Sequence, residues 1–242
     1  MGQQLLAEVE SIDGNPGSWA LKNTYQTRKQ EWSYAYAWTD STLVLTLILP
    51  PNPQQAQTLL TGMTWWVQPG KKQSLRGFRF PLGAGPEDMP RNPDALHQAL
   101  IELPETYERF LPADQGLELI HWPARGDTSL ADNPQAQMAF AGGMQDDGVL
   151  VLEAKIPWSI WDISPDSLGG AIRFRAETGK LSRPNDLKRQ DGNGISGGSI
   201  SNPTYTTDTG MRRRWLLLDQ YRDFSQPAAI KTQKLELERR TP

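Results

Sequence analysis

Trp32, Tyr34, Tyr36 and Trp38 alternate with Ser33, Ala35 and Ala37. Only an extended chain sets four such aromatics on one side and three small residues on the other. Thr39 to Thr42 then supplies turn chemistry, and Leu43 to Leu49 follows as an apolar run with Val44 and Ile48 interleaved. A run of that length, halted by Pro50-Pro51-Asn52-Pro53, reads as a strand buried on both faces. The two segments together predict a β-hairpin entering a core.

The same grammar continues along the chain. Gln54 to Leu60 predicts a short turn of helix, Met63 to Val67 a strand, and Leu75 to Phe80 its hairpin partner across the turn Gln68-Pro69-Gly70-Lys71-Lys72. On that return strand Arg76, Phe78 and Phe80 share one face, while Leu75, Gly77 and Arg79 share the other. Residues 83–95 are rich in Gly, Pro and Asp and read as loop. Pro93 to Leu103 predicts a short helix, because Leu96, Leu100 and Leu103 recur at helical spacing. Leu117 to Trp122 is a brief strand. Met138 to Phe140 and Val149 to Ile156 read as a hairpin around Gly142-Gly143 and Asp146-Asp147-Gly148, with Glu153 and Lys155 facing outward. Ala171 to Glu177 alternates Ile172, Phe174 and Ala176 against Arg173, Arg175 and Glu177. Trp215 to Leu218 and Ile230 to Leu237 are the closing strands.

Many short strands with one to three short helices imply an all-β fold, an antiparallel β-sandwich of jelly-roll or immunoglobulin-like form. All-β units often reach this length of 242 residues, and no composition shift divides the chain, so residues 1–242 read as a single domain. Residues 182–211 are poor in apolar side chains and rich in Gly, Ser, Asn and Asp. They read as one long surface loop, open to trypsin near Arg183, Lys188 and Arg189.

Composition closes off several functions. The formal net charge of −3 argues against nucleic acid as the partner, and the run Arg212-Arg213-Arg214 leads straight into Trp215-Leu216-Leu217-Leu218 as the charged end of a strand. The absence of cysteine excludes disulfides, thiol catalysis and cysteine-held zinc. No stretch approaches the ~18 apolar residues of a membrane helix, and the first residues lack the pattern of a signal peptide.

Motif matches fail on context. Gly192 to Gly197 spells G-x-G-x-x-G and Gly194 to Gly198 spells G-x-S-x-G, but neither follows a strand or opens a helix. Asp191 to Gly194 has the look of a calcium loop, yet residues 195–203 carry no Glu or Asp to complete it. Asp146-Asp147 reads as turn chemistry. His97 and His121 stand without metal-ligand partners at useful spacing, so no catalytic group, metal site or cofactor is expected. Nine tryptophans is a high count. Trp38, Trp158 and Trp215 adjoin apolar runs and read as core. Trp65 and Trp66 are adjacent on a strand, so they point to opposite faces. Unless both faces are covered, one of them is exposed, and an exposed indole near Arg76 or Arg79 is a stacking platform for a sugar or an aromatic ligand.

Several segments resemble a family. Ile12-Asp13-Gly14 followed by Trp19 resembles the start of carbohydrate-binding family 9-like and DOMON-like β-sandwich domains. Trp38 to Leu45 resembles their W-x-D-x-x-L strand pair, and Gln57 to Pro81 is similar to a segment of exported bacterial members, often lipoproteins. Glu153 to Pro157 and Ile172 to Gly179 resemble their later strands. The resemblance implies a jelly-roll-like sandwich placed in the periplasm or on the outer-membrane surface, in a family that includes sugar-binding modules and haem binders. No residue is singled out as an axial haem ligand, whether Met63, Met138 or His121.

The leading expectation is therefore a non-catalytic domain that binds carbohydrate or a related small ligand in the bacterial cell envelope. Its candidate contacts are Trp65, Trp66, Arg76, Arg79, Arg173, Arg175 and Glu177, the last three forming a polar stripe on one strand face. The alternative is a structural or protein-interaction module, with exposed aromatics as anchors for a protein partner. A carboxylate-based glycosidase ranks third, since no acid pair stands out.

Overall fold

The computed structural model describes residues 12–16, 24–26, 32–69, 75–84, 93–111, 117–120, 138–161, 171–180 and 227–236. The long loop expected at 182–211, the motif matches within it and the strand expected at 215–218 lie outside the described residues. So do His121 and the side chain of His97.

The elements in order are β1 (Tyr25–Gln26), β2 (Ser33–Trp38), β3 (Thr42–Leu49), α1 (Pro53–Thr61), β4 (Met63–Pro69), β5 (Arg76–Arg79) and α2 (Pro93–Thr106). They continue with a 3-10 turn (Tyr107–Phe110), β6 (Glu118–Ile120), β7 (Ala139–Met144), β8 (Leu150–Pro157), a second 3-10 turn (Trp158–Trp161), β9 (Ala171–Thr178) and β10 (Ala229–Glu236). They form two five-stranded sheets, β1-β2-β3-β8-β7 and β10-β9-β4-β5-β6, in which every pairing is antiparallel. The fold is all-β, as the alternation predicts. Among the described residues no helix is long and apolar enough to cross a membrane.

Register explains which side chains fill the space between the sheets. Tyr34, Tyr36 and Trp38 lie opposite Leu47, Leu45 and Leu43, so the aromatics of β2 and the leucines of β3 share the inner face. From the second sheet Met63, Trp65, Val67, Phe78, Ile172, Phe174 and Ala176 meet them in one buried cluster. The sheets touch through Tyr34 and Phe174, with ring centroids 6.0 Å apart, and through Phe78 and Phe140, 5.2 Å apart. Trp38 and Trp158 are core, as their apolar neighbours suggest.

Helix α1 begins where Asn52 caps it, its side chain accepting from Gln55 N, with Pro53 at the first helical position. Buried Gln55 then donates to Leu49 O and Gly148 O, tying the helix to the ends of β3 and the β7–β8 turn.

Two expectations need correction. Gly142 and Gly143 are not in the turn. They lie within β7, opposite Leu152 and Val151, and the turn is Gln145 to Val149, where Asp147 accepts from Val149 N. A glycine inside a strand marks a close approach, and here it is the 12–16 segment: a Cβ on Gly143 would come 2.9 Å from Gly14 O. Gly14 has φ +82° and cannot be replaced without strain. Glu153 does point to the outer face, but it is 3% exposed rather than solvated. Its carboxylate accepts from Gly14 N at 3.1 Å, Asp13 N at 3.4 Å and Thr46 Oγ1 at 3.4 Å. Burial pushes its pKa up, and those hydrogen bonds pull it partly back.

Candidate functional site

Strand β4 sits at the centre of the second sheet, between β9 and β5. Period two sends Trp65 inward and Trp66 outward. Trp65 is 0% exposed, stacks on Phe78 at 5.9 Å and donates Nε1–H to Phe80 O at 2.7 Å. It belongs to the core, and its one polar atom is satisfied there. It is removed from the candidate contacts for that reason. Trp66 lies on the outer face and is partly exposed.

The orientation of the Trp66 indole is fixed at both ends. Its cross-strand neighbour on β5 is Gly77, and a Cβ built there would come 2.9 Å from Trp66 Cε3 and Cζ3. The six-membered ring therefore occupies the space that the missing side chain leaves. At the other end Nε1–H donates to Glu177 Oε1 on β9 at 2.7 Å. The second oxygen of Glu177 accepts from Arg175, the cross-strand partner of Trp66 on that side. The indole is thus laid across the sheet from β5 to β9 and tethered at its polar edge.

Polar side chains surround it by register. Thr64 stands between Arg79 and Glu177, and Gln68 is opposite Arg173. Arg79 donates to Thr61 O at 2.5 Å and reaches Glu118 at 3.4 Å, which fixes it at the end of α1. Arg175 and Glu177 keep 43% and 21% of their side-chain surface in contact with solvent. Arg173 is exposed.

Of the seven residues expected from the sequence, the structure brings Trp66, Arg79, Arg173, Arg175 and Glu177 onto one face. It separates Trp65 and Arg76. Arg76 is in register with inward-facing Val67 and donates to Ile160 O at 3.0 Å, so it closes the edge of the core. Gly77, Gln68, Glu118 and Lys234 also belong to the outer face and were not singled out. Gly77 carried a signal, since a glycine in a strand beside a tryptophan hairpin partner implies a close approach. The others needed cross-strand register.

Two carboxylates, Glu118 and Glu177, border this face. They sit three strand spacings apart, about 14 Å at the backbone, and each engages an arginine. That is not the close, opposed acid pair of a glycosidase. Among the described residues no group of three or more His, Cys, Asp or Glu is gathered as a metal site requires. A separate cavity of about 570 Å³ lies between Leu60, Gly83 and Ala84 and the face of α2 that carries Ala95, Ala99 and Glu102. Its polar wall is internally bonded: Gln98 donates to Glu102 at 2.6 Å, and Thr106 to the Glu102 carbonyl at 2.9 Å.

No family model matches the chain, and no curated protein matches it. Among solved structures it is similar to a carbohydrate-binding module of family 9 from Caldicellulosiruptor kristjanssonii in complex with glucose. The identity is 9% over 76% of this chain and 80% of that one, with a TM-score of 0.38. A structure of a family 9 module from the same organism in complex with cellotriose gives 8% identity over 74% and 75%, again with a TM-score of 0.38. At that distance the likeness bears on neither the ligand of this chain nor the residues that would hold it.

Proposed function

We propose that this chain is a non-catalytic carbohydrate-binding domain, and that Trp66 on the outer face of the second sheet is its stacking platform. The observation that carries this reading is the fixed indole, seated over Gly77 and tethered through Glu177 to Arg175. A sugar ring has an apolar C–H face and a polar rim, and an oriented aromatic bordered by hydrogen-bonding side chains complements both. Because the ring is held before any ligand arrives, little side-chain freedom is lost on binding. Stacking contributes on the order of 1 kcal/mol beyond area burial, so affinities in the micromolar to millimolar range are expected. An exported protein is the setting we propose for it, on the sequence resemblance alone.

A glycan array followed by fluorescence titration tests the reading. Trp66→Ala is expected to stay folded and lose the ligand response. If no glycan binds, or if Trp66→Ala binds as well as the wild type, the interaction-module alternative takes its place.

A further inference from the structure

Helix α2 does not close on the wall it faces. Ala95, Ala99, Glu102 and Thr106 recur at helical spacing along one stripe of it, with Gln98 beside them. Across from this stripe stand Leu60 at the end of α1 and Gly83 and Ala84 after β5, and the cavity of about 570 Å³ lies between. Three alanines and a glycine line it, and side chains that short leave the space between the two walls unfilled. Both walls are held in place. Gly83 has φ +86°, and a Cβ there would come 2.4 Å from Gly62 N, so this loop lies directly on the end of α1. Ala84 N–H donates to Leu60 O at 2.9 Å, and Met63 N–H to Pro81 O at 3.1 Å. On the other side Leu103 anchors α2 in the core, and the 3-10 turn ends at buried Leu111. A hollow formed in advance and of this size is in the range of small-molecule sites.

The chemistry of the lining is one-sided. Leu60, the alanines and Phe110 are apolar. Glu102 accepts from Gln98 Nε2–H through one oxygen, which orients the carboxylate, and among the described residues no cation pairs with it. Arg109 also lines the cavity, but it already has an interaction of its own. We propose that this cavity binds an organic ammonium ion with a short apolar body, its nitrogen on Glu102 and its body against Leu60, Ala99 and Phe110. The site is separate from the Trp66 face and does not depend on the carbohydrate reading. An ammonium is a pure donor and a carboxylate a pure acceptor, and bonds between charged partners are the stronger kind. An aromatic ring in the lining adds attraction for a cation through its π face. A neutral molecule of the same shape gains the apolar contacts alone, and an anion meets Glu102 as a like charge.

The test is a titration of the full chain followed by backbone amide NMR shifts, with three probes of similar size: phenethylamine, phenethyl alcohol and hydrocinnamate. The amine should bind in the millimolar range, about threefold to tenfold more tightly than the alcohol, and more weakly as sodium chloride is added. The shifted amides should include Ala84, Ala99, Glu102 and Phe110. Glu102→Gln should weaken the amine by about threefold to tenfold and leave the alcohol unchanged. Ala99→Leu fills the space and should abolish binding of both without lowering the melting temperature. Glu102 is exposed, so Glu102→Gln keeps the test open should Ala99→Leu fail to fold. The proposal is overturned if the amine does not bind, if it binds no tighter than the alcohol or the acid, or if its shifts fall outside the cavity. Amine binding that Glu102→Gln leaves unchanged overturns it equally. None of these outcomes touches the carbohydrate reading, which the glycan titration tests by itself.

Discussion

On the outer face of the first sheet Ala35, Ala37, Val44, Thr46, Val151 and Glu153 are all buried. On the outer face of the second sheet Thr64, Trp66, Gln68, Arg175 and Glu177 are partly exposed, and Arg173 and Lys234 are exposed. Both faces are the outward positions of antiparallel strands with the same period-two pattern. They differ in what the outward residues are. The first sheet presents small and β-branched side chains with one carboxylate and the half-buried Lys155, and that carboxylate receives the backbone of Asp13 and Gly14. The second presents long charged side chains around one indole. The outside of an antiparallel sheet is either covered by further chain or left open to solvent, and side-chain size and charge differ accordingly.

The adjacent tryptophans give the largest test of this difference. Trp65→Ala opens a cavity between the sheets and leaves Phe80 O without its donor, so unfolding in denaturant should show a loss of about 3–5 kcal/mol. Trp66→Ala removes a surface ring and one hydrogen bond, and should cost about 1 kcal/mol. Equal losses at the two positions would mean that the outer face of the second sheet is as buried as that of the first.

Glu153 tests the covered face. Glu153→Ala leaves Gly14 N–H, Asp13 N–H and the Thr46 hydroxyl without their acceptor, for an expected loss of about 1–3 kcal/mol. Glu153→Gln keeps an acceptor for the backbone and has no charge to desolvate, so it should be close to the wild type at neutral pH. The two should diverge with pH. The folded-state pKa of Glu153 is raised, so the folded chain binds that proton more tightly than the unfolded chain does. Its contribution to stability therefore falls as pH rises from the ordinary carboxylate pKa, about 4.3, through the raised value, and is constant above it. Acidifying through that window should stabilise the wild type relative to Glu153→Gln. Parallel pH profiles for the two proteins would show that Glu153 is solvated.

Much of the fold could be read from the sequence because its signals are local. Alternation in β2, β8 and β9, the proline stop after β3 and the capped start of α1 each depend on neighbours a few residues away. The opposite orientation of Trp65 and Trp66 followed from the same rule. What could not be read depends on pairing between distant strands. Gly142 and Gly143 have the composition of a turn, and it is their pairing with Leu152 and Val151 on β8 that makes them strand. Glu153 has the pattern of a solvated residue until residues 12–16 cover it. Arg76 and Arg79 fall on opposite faces of β5 by period two, but their partners, Ile160 O for one and Glu118 for the other, come from distant segments. The pairing of Arg173 with Lys234 joins residues from two strands with 50 intervening positions between β9 and β10, and no local pattern could announce it.

Gly77 gives the smallest effect on stability and the sharpest test of the platform. Its backbone does not require glycine, since it is not among the positive-φ positions, and it lies in an ordinary antiparallel pair with Trp66 and Ile120. Gly77→Ala should therefore change stability by less than about 1 kcal/mol, with better strand propensity offsetting the crowding. The new Cβ would nevertheless sit 2.9 Å from two atoms of the indole and 3.2 Å from Ile120 Cβ, too close for the ring to stay where it is. The ring must lift, and lifting strains the hydrogen bond to Glu177. The expected result is a melting curve close to the wild type, a shifted tryptophan emission maximum and a glycan affinity about tenfold weaker, since a platform that must reorient loses its preorganisation. Glu177→Gln keeps an acceptor for Nε1–H and leaves the ring in place, so it should retain more affinity than Gly77→Ala. If Gly77→Ala binds glycans like the wild type while its emission shifts, the orientation of Trp66 is not what the ligand meets.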